Sequence, residues 1–376
     1  MYYFLYFENL TTQCVMDNKS LLDQSYNRDK YSLANQSVWE LLSTIKGEEF
    51  RLYRERLKKA ESGELLSDFP IEVLIKTTLN CNHLCPRCPH GMGITPRGDA
   101  YNMKFETLKK IIDEGSEKGL GSVVFTGGEP TLHPEFLKFI RYTAEKNIPD
   151  IAVITNGSLL TDEIIDGMIE SNVTRVNISF DSTSEEVYKK VRGVDDYNKV
   201  LSNIRRLISR RKELGSLLPL LSISFVLSED NAGELDGFID MWGDIADGGI
   251  KIYPYKNIYS IMDIDLYSRY GLGENTPLDI KDELRPKRLS RDYSIMEDYV
   301  IKCTIPWYRS HVGINGELQG CTTLGFCDHK EMMMGNIYEM TYEEAWKSAK
   351  WANLRAVTLS GNYSLNPVCS LCQKSV

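Results

Sequence analysis

The feature that most constrains this chain is a set of three cysteines within eight residues, Cys81, Cys85 and Cys88, spaced CxxxCxxC. They directly follow residues 71–79, which are mostly apolar or β-branched and predict a β-strand. A loop that leaves a strand end can place three thiols around one metal centre. A [4Fe–4S] cluster usually takes four thiolates, so three thiolates leave one iron open to a small molecule.

Two other kinds of site fit the same three cysteines. A zinc ion bound by three cysteines and one histidine would use His83 or His90 as its fourth ligand. A redox-active pair of thiols also fits a short cysteine spacing. The triplet by itself leaves all three possibilities open.

Strand and helix patterns alternate from residue 71 to about residue 255. The expected strands are 71–79, 121–125, 151–154, 173–180, 220–227 and 250–253, and the expected helices are 104–118, 134–146, 162–170, 184–213 and 235–245. Six strands with five intervening helical segments predict a parallel sheet in an α/β fold. Periodicity does not say whether that sheet closes into a barrel.

Short polar motifs follow the expected strands. The second strand ends in Gly127, Gly128 and Glu129, where two glycines let the backbone approach a ligand and the carboxylate can take an ammonium group. Taken singly, each motif is also typical of an ordinary turn. The remaining polar residues that follow strands three and four, or lie on the helix after strand four, are Asn156, Ser179, Asp181 and Arg192.

The order and spacing of these motifs after CxxxCxxC resemble the radical S-adenosylmethionine (SAM) superfamily. The resemblance implies a partial (β/α)₆ barrel whose functional residues gather at the C-terminal strand ends. It implies a [4Fe–4S] cluster on Cys81, Cys85 and Cys88, with SAM on the open iron. Cleavage of SAM then gives a 5′-deoxyadenosyl radical that removes a hydrogen atom from substrate. The SAM contacts implied by the family motifs are Gly127, Gly128, Glu129, Asn156, Ser179, Asp181 and Arg192.

The chain departs from the family pattern at one position beside the triplet. Members usually carry an aromatic residue just before the third cysteine, where this chain has Arg87.

A second group of cysteines lies near the C-terminus and consists of Cys303, Cys321, Cys369 and Cys372. A hairpin signal at Asn315-Gly316 and an expected helix at 342–352 lie among them. Four such cysteines can bind either a structural zinc ion or a second iron–sulfur cluster. Their pattern resembles the SPASM extension of radical SAM enzymes, in its short "twitch" form, as in scyllo-inosamine dehydrogenase. That resemblance implies one auxiliary [4Fe–4S] cluster, and thus two clusters in total.

Cys327 is left over, six residues after Cys321. It is either an inert thiol, a substitute cluster ligand, or a catalytic hydrogen-atom donor of the kind that some radical SAM epimerases use.

Composition bears on the partners and the cellular compartment that we expect for this protein. The net charge of −9, from 44 Lys and Arg against 53 Asp and Glu, does not suggest a nucleic-acid partner. No run approaches the ~20 apolar residues of a membrane span, and the first residues lack the basic region of a signal peptide. Clustered cysteines without an export signal indicate a reducing compartment, so we expect a cytoplasmic protein.

These observations predict a radical SAM oxidoreductase in four parts: an N-terminal helical extension (1–70), the partial barrel (71–255), a linker or cap (256–302), and a twitch-like domain of β-hairpin and helix (303–376). The extension caps the barrel, gates substrate or forms a dimer surface. The expected partners are a small-molecule substrate and a flavodoxin- or ferredoxin-type reductant. The expected reaction is two-electron oxidation of a sugar- or cyclitol-like compound, with the auxiliary cluster as electron acceptor. The alternatives are a peptide-modifying enzyme, either an epimerase or a crosslinking maturase, and a non-catalytic zinc or iron–sulfur protein.

Overall fold

A computed structural model of the chain describes residues 38–254, 303–322 and 329–374. One mixed sheet organises these residues. Its strands are β1 (Glu72–Thr78), β2 (Ser122–Gly127), β3 (Asp150–Thr155), β4 (Arg175–Ser179), β5 (Leu220–Leu227), β6 (Ile250–Pro254), β7 (Arg309–Val312), β8 (Glu317–Gln319) and β9 (Met333–Asn336). Their spatial order is β6-β5-β4-β3-β2-β1-β7-β8-β9, and β1 to β6 are all parallel. The predicted α/β parallel sheet is confirmed.

Helices connect the parallel strands and cover one face of the sheet. They are α3 (Phe105–Glu117), α4 (Phe136–Glu145), α5 (Asp162–Glu170), α6 (Glu185–Arg192), α7 (Tyr197–Glu213) and α8 (Leu235–Trp242), preceded by α1 (Val38–Lys46) and α2 (Glu48–Glu61). The helix expected over 184–213 is two helices, because Gly193 adopts a left-handed conformation (φ 70°) that ends α6. The helical stretch from residue 38 to 61 is likewise broken, at Gly47.

The two faces of the parallel sheet differ in chemistry. Alternate residues such as Val73, Ile75 and Phe125 join the helices in a large apolar core. The opposite face, which we call the inner face, carries charged residues at or near the strand starts: Glu72, Asp150, Arg175, Lys251 and Arg309.

The sheet curls into a partial barrel around its inner face. In a flat sheet, β6 and β1 would lie five strand spacings apart, about 24 Å. Lys251 on β6 nevertheless interacts electrostatically with Glu72 on β1 and with Arg309 on β7. The sheet therefore brings its distant strands together around the inner face.

Helices α1 and α2 close the end of the barrel at which the strands begin. Their apolar residues pack with Ile71, Leu220 and Tyr308, which lie at or beside the strand starts. The Tyr53 hydroxyl donates to Asp150 at the start of β3 (3.2 Å). For residues 38–70, the structure therefore favours a cap on the barrel, at the end opposite the predicted site.

The C-terminal segment extends the barrel sheet, which was not predicted. It contains α9 (Ile305–Tyr308), α10 (Tyr342–Trp346), α11 (Ala349–Ser360) and α12 (Pro367–Lys374). Strand β7 pairs in parallel with β1 and then in antiparallel with β8, through the predicted turn at Gly316. The helix expected at 342–352 is divided between α10 and α11. A continuous sheet thus joins the two cysteine groups.

Some predictions fall on residues that the structure does not describe. The expected linker at 256–302 and the leftover Cys327 lie outside the described residues. Over the described ranges, no helix is both long enough and apolar enough to cross a membrane.

Candidate functional site

The loop after β1 brings the first three cysteines together. The Cys88 thiol interacts with the thiols of both Cys85 and Cys81. Burial raises the pKa of Cys88 to about 12, and the neighbouring thiols add to the rise. Burial likewise raises the pKa of Cys81 to about 11. Without a metal these thiols stay protonated near pH 7, so a bound cationic centre has to displace their protons.

The side chains of the two histidines near the triplet, His83 and His90, contact residues other than the three cysteines. The Nδ1 atom of His90 lies 2.7 Å from the Thr95 hydroxyl. His83 is buried and packs edge-on against Tyr188. Within the described part of the chain, no three His, Cys, Asp or Glu side chains are arranged to hold a single metal ion. The three thiols of this loop are a donor set that a [4Fe–4S] cluster with one open iron can use.

A polar network ties the cysteine loop to the end of β3. The Asn82 side chain donates to the Ser158 hydroxyl (2.8 Å) and accepts from the Asn156 side chain (2.8 Å). Asn156, predicted as a SAM contact, thus holds the cysteine loop in place. Sequence reasoning did not identify Asn82 or Ser158, since nothing in their spacing marks them as partners.

The end of α6 supports the same loop from another side. The Leu84 N–H donates to the Arg192 carbonyl (3.2 Å). A Cβ atom built on Gly193 would lie 2.1 Å from the Leu84 carbonyl oxygen. Only glycine therefore allows this close approach, and the position of Cys85 depends on it.

Glu129 joins the ends of β2 and β3. Its buried carboxylate accepts from the Thr131 N–H, from the hydroxyls of Thr131 and Thr155, and from the Asn156 N–H. Burial raises the pKa of Glu129, and these four donors oppose the rise. Three of the four bonds reach Oε1, so Oε2 retains acceptor capacity for an ammonium group.

Gly127 and Gly128 let the backbone at the end of β2 pack closely against the residues that precede Cys81. A Cβ atom on Gly128 would lie 2.1 Å from the Asn80 carbonyl oxygen, and Gly127 has φ 136°. The Glu129 N–H donates to the same Asn80 carbonyl (2.7 Å). The glycines thus bring Glu129 near the cysteine loop, where its carboxylate interacts electrostatically with Cys81.

Asp181 and Arg192 form a buried ion pair at 2.9 Å. Asp181 also accepts from the Val226 N–H (2.7 Å). The Arg192 guanidinium interacts electrostatically with Cys85 and Cys81, and its side chain is only 11% exposed, so it is not an exposed helix residue. The remaining predicted contact, Ser179, ends β4 with its hydroxyl 3.4 Å from that of Ser224. All seven predicted SAM contacts thus belong to, or follow, the strand ends around the cysteine loop.

Arg87 occupies the place where the resemblance leads one to expect an aromatic residue. Its guanidinium lies 2.7 Å from the Asp230 carboxylate, which also pairs with Lys190. This pairing holds an arginine beside Cys88.

The four C-terminal cysteines also come together. The Cys303 thiol interacts with those of Cys321 and Cys372, and the Cys369 thiol interacts with all three. Burial raises the pKa of Cys303 to about 11. The Cys303 N–H donates to the Tyr363 hydroxyl (2.9 Å), a contact that sequence reasoning missed. Four thiolates on one zinc ion each lie about 2.3 Å from it. Four thiols that meet in this way can bind either one zinc ion or one [4Fe–4S] cluster.

Comparison with known proteins places both cysteine groups in characterised domains. The Radical SAM superfamily model matches residues 75–240, and the SPASM model, an iron–sulfur cluster-binding domain, matches residues 303–373. A probable GTP 3′,8-cyclase of Saccharolobus islandicus (strain M.14.25 / Kamchatka #1) is 26% identical over 272 residues, which cover 67% of this chain and 83% of that protein.

Two solved structures share the fold. Streptococcus suis SuiB, bound to its precursor peptide SuiA, is 15% identical with a TM-score of 0.54, covering 90% of this chain and 74% of SuiB. The anSMEcpe protein with bound AdoMet is 18% identical with a TM-score of 0.52, covering 77% of this chain and 84% of that protein. At these identities the likeness concerns the fold alone.

Proposed function

Because this chain is a radical SAM enzyme with a C-terminal SPASM domain, [4Fe–4S] clusters and SAM as cofactors, we propose that it oxidises a sugar- or cyclitol-like small molecule by two electrons. The family excludes the alternative of a non-catalytic zinc or iron–sulfur protein. We assign the SAM-binding cluster to Cys81, Cys85 and Cys88, and the auxiliary cluster to Cys303, Cys321, Cys369 and Cys372.

The observation that carries the proposal is the pairing of an incomplete and a complete cysteine set on one sheet. Three thiols lie after β1, and β7, which pairs with β1, leads to the set of four. A cluster with four protein ligands has no open iron for substrate. Its remaining use is to stabilise the fold or to carry electrons, and an oxidation needs an electron acceptor.

When bound, the cofactors supply a 5′-deoxyadenosyl radical that removes a hydrogen atom from a substrate C–H bond, and a second cluster that takes up an electron. The chain's own residues position these groups. Glu129 offers Oε2 to the SAM ammonium, and Arg192 lies beside the cluster ligands to attract the SAM carboxylate. Asn156 orients the cysteine loop through Asn82.

The first test counts iron and acid-labile sulfide per chain after anaerobic reconstitution. We expect about eight irons in the wild type and about four in the Cys81/Cys85/Cys88→Ala variant, because each [4Fe–4S] cluster holds four. A wild-type chain with about four irons and one zinc would remove the electron acceptor and refute the oxidation.

The second test incubates the reduced enzyme with SAM and a panel of sugars, cyclitols, nucleotides and peptides. We expect a sugar or cyclitol to stimulate 5′-deoxyadenosine formation and to appear as a ketone two mass units lighter. GTP belongs in the panel because the relatives include a probable GTP 3′,8-cyclase. Conversion of GTP without loss of two mass units would replace the proposal with a redox-neutral cyclisation.

Peptide modification is the second candidate, supported by the fold shared with the SuiB–SuiA complex. In that case Cys327 donates a hydrogen atom in an epimerisation, or the product is a crosslinked peptide. Uptake of solvent deuterium into a peptide product, lost in Cys327→Ala, would favour the epimerase. Under either function we propose a flavodoxin- or ferredoxin-type protein as the electron donor.

A further inference from the structure

The face of α6 that lies against the cysteine loop carries a buried tyrosine that the proposed site does not use. Tyr188 is fully buried, and its ring packs edge-on against His83, with the ring centroids 6.3 Å apart. Tyr188 and Arg192 are one helical turn apart, so they share a face of α6. The cysteine loop contacts this end of the helix at Arg192 and Gly193. Tyr188 therefore packs against the loop that carries the three thiols.

The hydroxyl of Tyr188 is a buried polar group that the protein leaves unsatisfied. Its ring also contacts Phe180 and Tyr197, with centroids 5.2 and 5.7 Å away. Among the residues that the structure describes, nothing forms a hydrogen bond with the Tyr188 hydroxyl. Buried hydroxyls in native proteins usually have a partner, and one without a partner points to a bound group that supplies it.

Two carboxylates interact electrostatically with the Tyr188 hydroxyl but do not accept a hydrogen bond from it. Asp181 accepts instead from the Arg192 guanidinium, at 2.9 Å. Asp196 lies 3.5 Å from the Nε2 atom of His83. Neither carboxylate is therefore the acceptor that the buried hydroxyl requires.

The third acidic group that interacts with the hydroxyl is the Cys85 thiol. Under the proposed assignment, the Cys85 sulfur is a thiolate ligand of the SAM-binding cluster, and sulfurs of such clusters accept hydrogen bonds. Two more buried atoms beside the same loop, Nδ1 of His83 and Nε of Arg192, also have no hydrogen-bond partner within the described ranges. Unused hydrogen-bonding capacity thus gathers around the place assigned to the cluster.

We propose that the Tyr188 hydroxyl donates a hydrogen bond to the Cys85 sulfur or to a sulfide of the SAM-binding cluster, and thereby raises the reduction potential of that cluster. This proposal rests on the assignment of the cluster to Cys81, Cys85 and Cys88, but it does not depend on the substrate. Reduction adds one electron, so the sulfurs become more negative and accept the hydrogen bond more strongly. Tyr188 therefore favours the reduced cluster, which the electron donor has to form before SAM is cleaved.

The first test is an anaerobic redox titration of the reconstituted full-length enzyme. It follows the electron paramagnetic resonance signal that changes when SAM is added, because SAM binds only the cluster with an open iron. Tyr188→Phe removes the hydroxyl and keeps the ring. We expect the equilibrium constant for one-electron reduction to fall about tenfold, which is a shift of about 59 mV to more negative potential.

Tyr197→Phe is the matched control. Tyr197 belongs to the same aromatic group, but its hydroxyl already donates to the Thr183 carbonyl (2.6 Å). Its removal should leave the potential at the wild-type value. A potential of Tyr188→Phe equal to that of the wild type would overturn the proposal, and so would equal shifts in the two variants.

The second test needs no substitution, so it holds even if Tyr188→Phe binds less iron. Wild-type enzyme is produced with tyrosine deuterated at the two ring carbons beside the hydroxyl. Electron–nuclear double resonance of the reduced SAM-binding cluster then detects deuterium only within a few ångströms. We expect a deuterium coupling, and its absence would show that no tyrosine hydroxyl reaches the cluster.

The proposal and the cluster assignment fail separately. If the Cys81/Cys85/Cys88→Ala variant keeps about eight irons, the assignment fails. If its iron content falls to about four while Tyr188→Phe keeps the wild-type potential, the assignment stands and the role of Tyr188 is refuted.

Discussion

Replacing Gly193 by alanine should displace the cysteine loop. Gly193 has φ 70°, and a left-handed conformation costs a residue with a Cβ atom about 1–2 kcal/mol. The new methyl group would also lie 2.1 Å from the Leu84 carbonyl oxygen, so that backbone has to move. Its movement breaks the 3.2 Å hydrogen bond from Leu84 to Arg192, worth about 1 kcal/mol. We expect a total loss of about 2–3 kcal/mol, concentrated next to Cys85.

Gly215 supplies a matched control. It has φ 64°, also follows a helix, and has nothing within 4 Å of a built Cβ atom. Gly215→Ala should therefore cost only the conformational strain, about 1–2 kcal/mol. The assay is iron per chain after reconstitution, together with the thermal midpoint. We expect Gly193→Ala to fall from about eight irons towards about four, with Gly215→Ala unchanged. Equal iron contents in the two variants would refute the reasoning.

Three further substitutions test the remaining contacts. Glu129→Gln removes a carboxylate that accepts four hydrogen bonds. It should weaken SAM binding in equilibrium dialysis and lower the free energy of unfolding by about 1–3 kcal/mol. The control Glu135→Gln, at an exposed position, should change neither quantity. Asp181→Asn leaves the buried Arg192 without its counter-charge and should cost about 3–5 kcal/mol in urea unfolding; a loss below 1 kcal/mol would contradict the buried pair. Cys369→Ser should keep about four irons and SAM cleavage while losing the oxidised product, and an unchanged product yield would exclude the auxiliary cluster as acceptor.

Local sequence patterns predicted much of the fold because they report on single elements. Alternating strands and helices gave the parallel sheet, since each segment's periodicity follows from which face it buries. The exceptions were breaks inside two expected helices: Gly193 adopts a left-handed conformation within 184–213, and the helix expected at 342–352 is divided between α10 and α11. Helix periodicity alone does not report such a break.

The functional motifs were found because cluster and SAM binding require particular residue types at short spacing in the chain. The CxxxCxxC triplet and the GGE turn were identified from residues close together in the chain. Contacts between distant segments were not. Asn82 meets Ser158 across 76 residues, and β7 adds to β1 across more than 200. No spacing rule predicts those pairings, because they depend on how the sheet curls.

The sequence by itself determined the donor sets, three thiols in one loop and four near the C-terminus, because ligand identity is a property of the residues. Tertiary structure decided what surrounds them. Arg192 and Glu129 become buried partners of the cysteine loop only because parallel strands end at one edge. Lys251 meets Glu72 and Arg309 only because the sheet curves until distant strands face each other. Burial and curvature set the charge and reach of these groups, and both arise only when the whole sheet has formed.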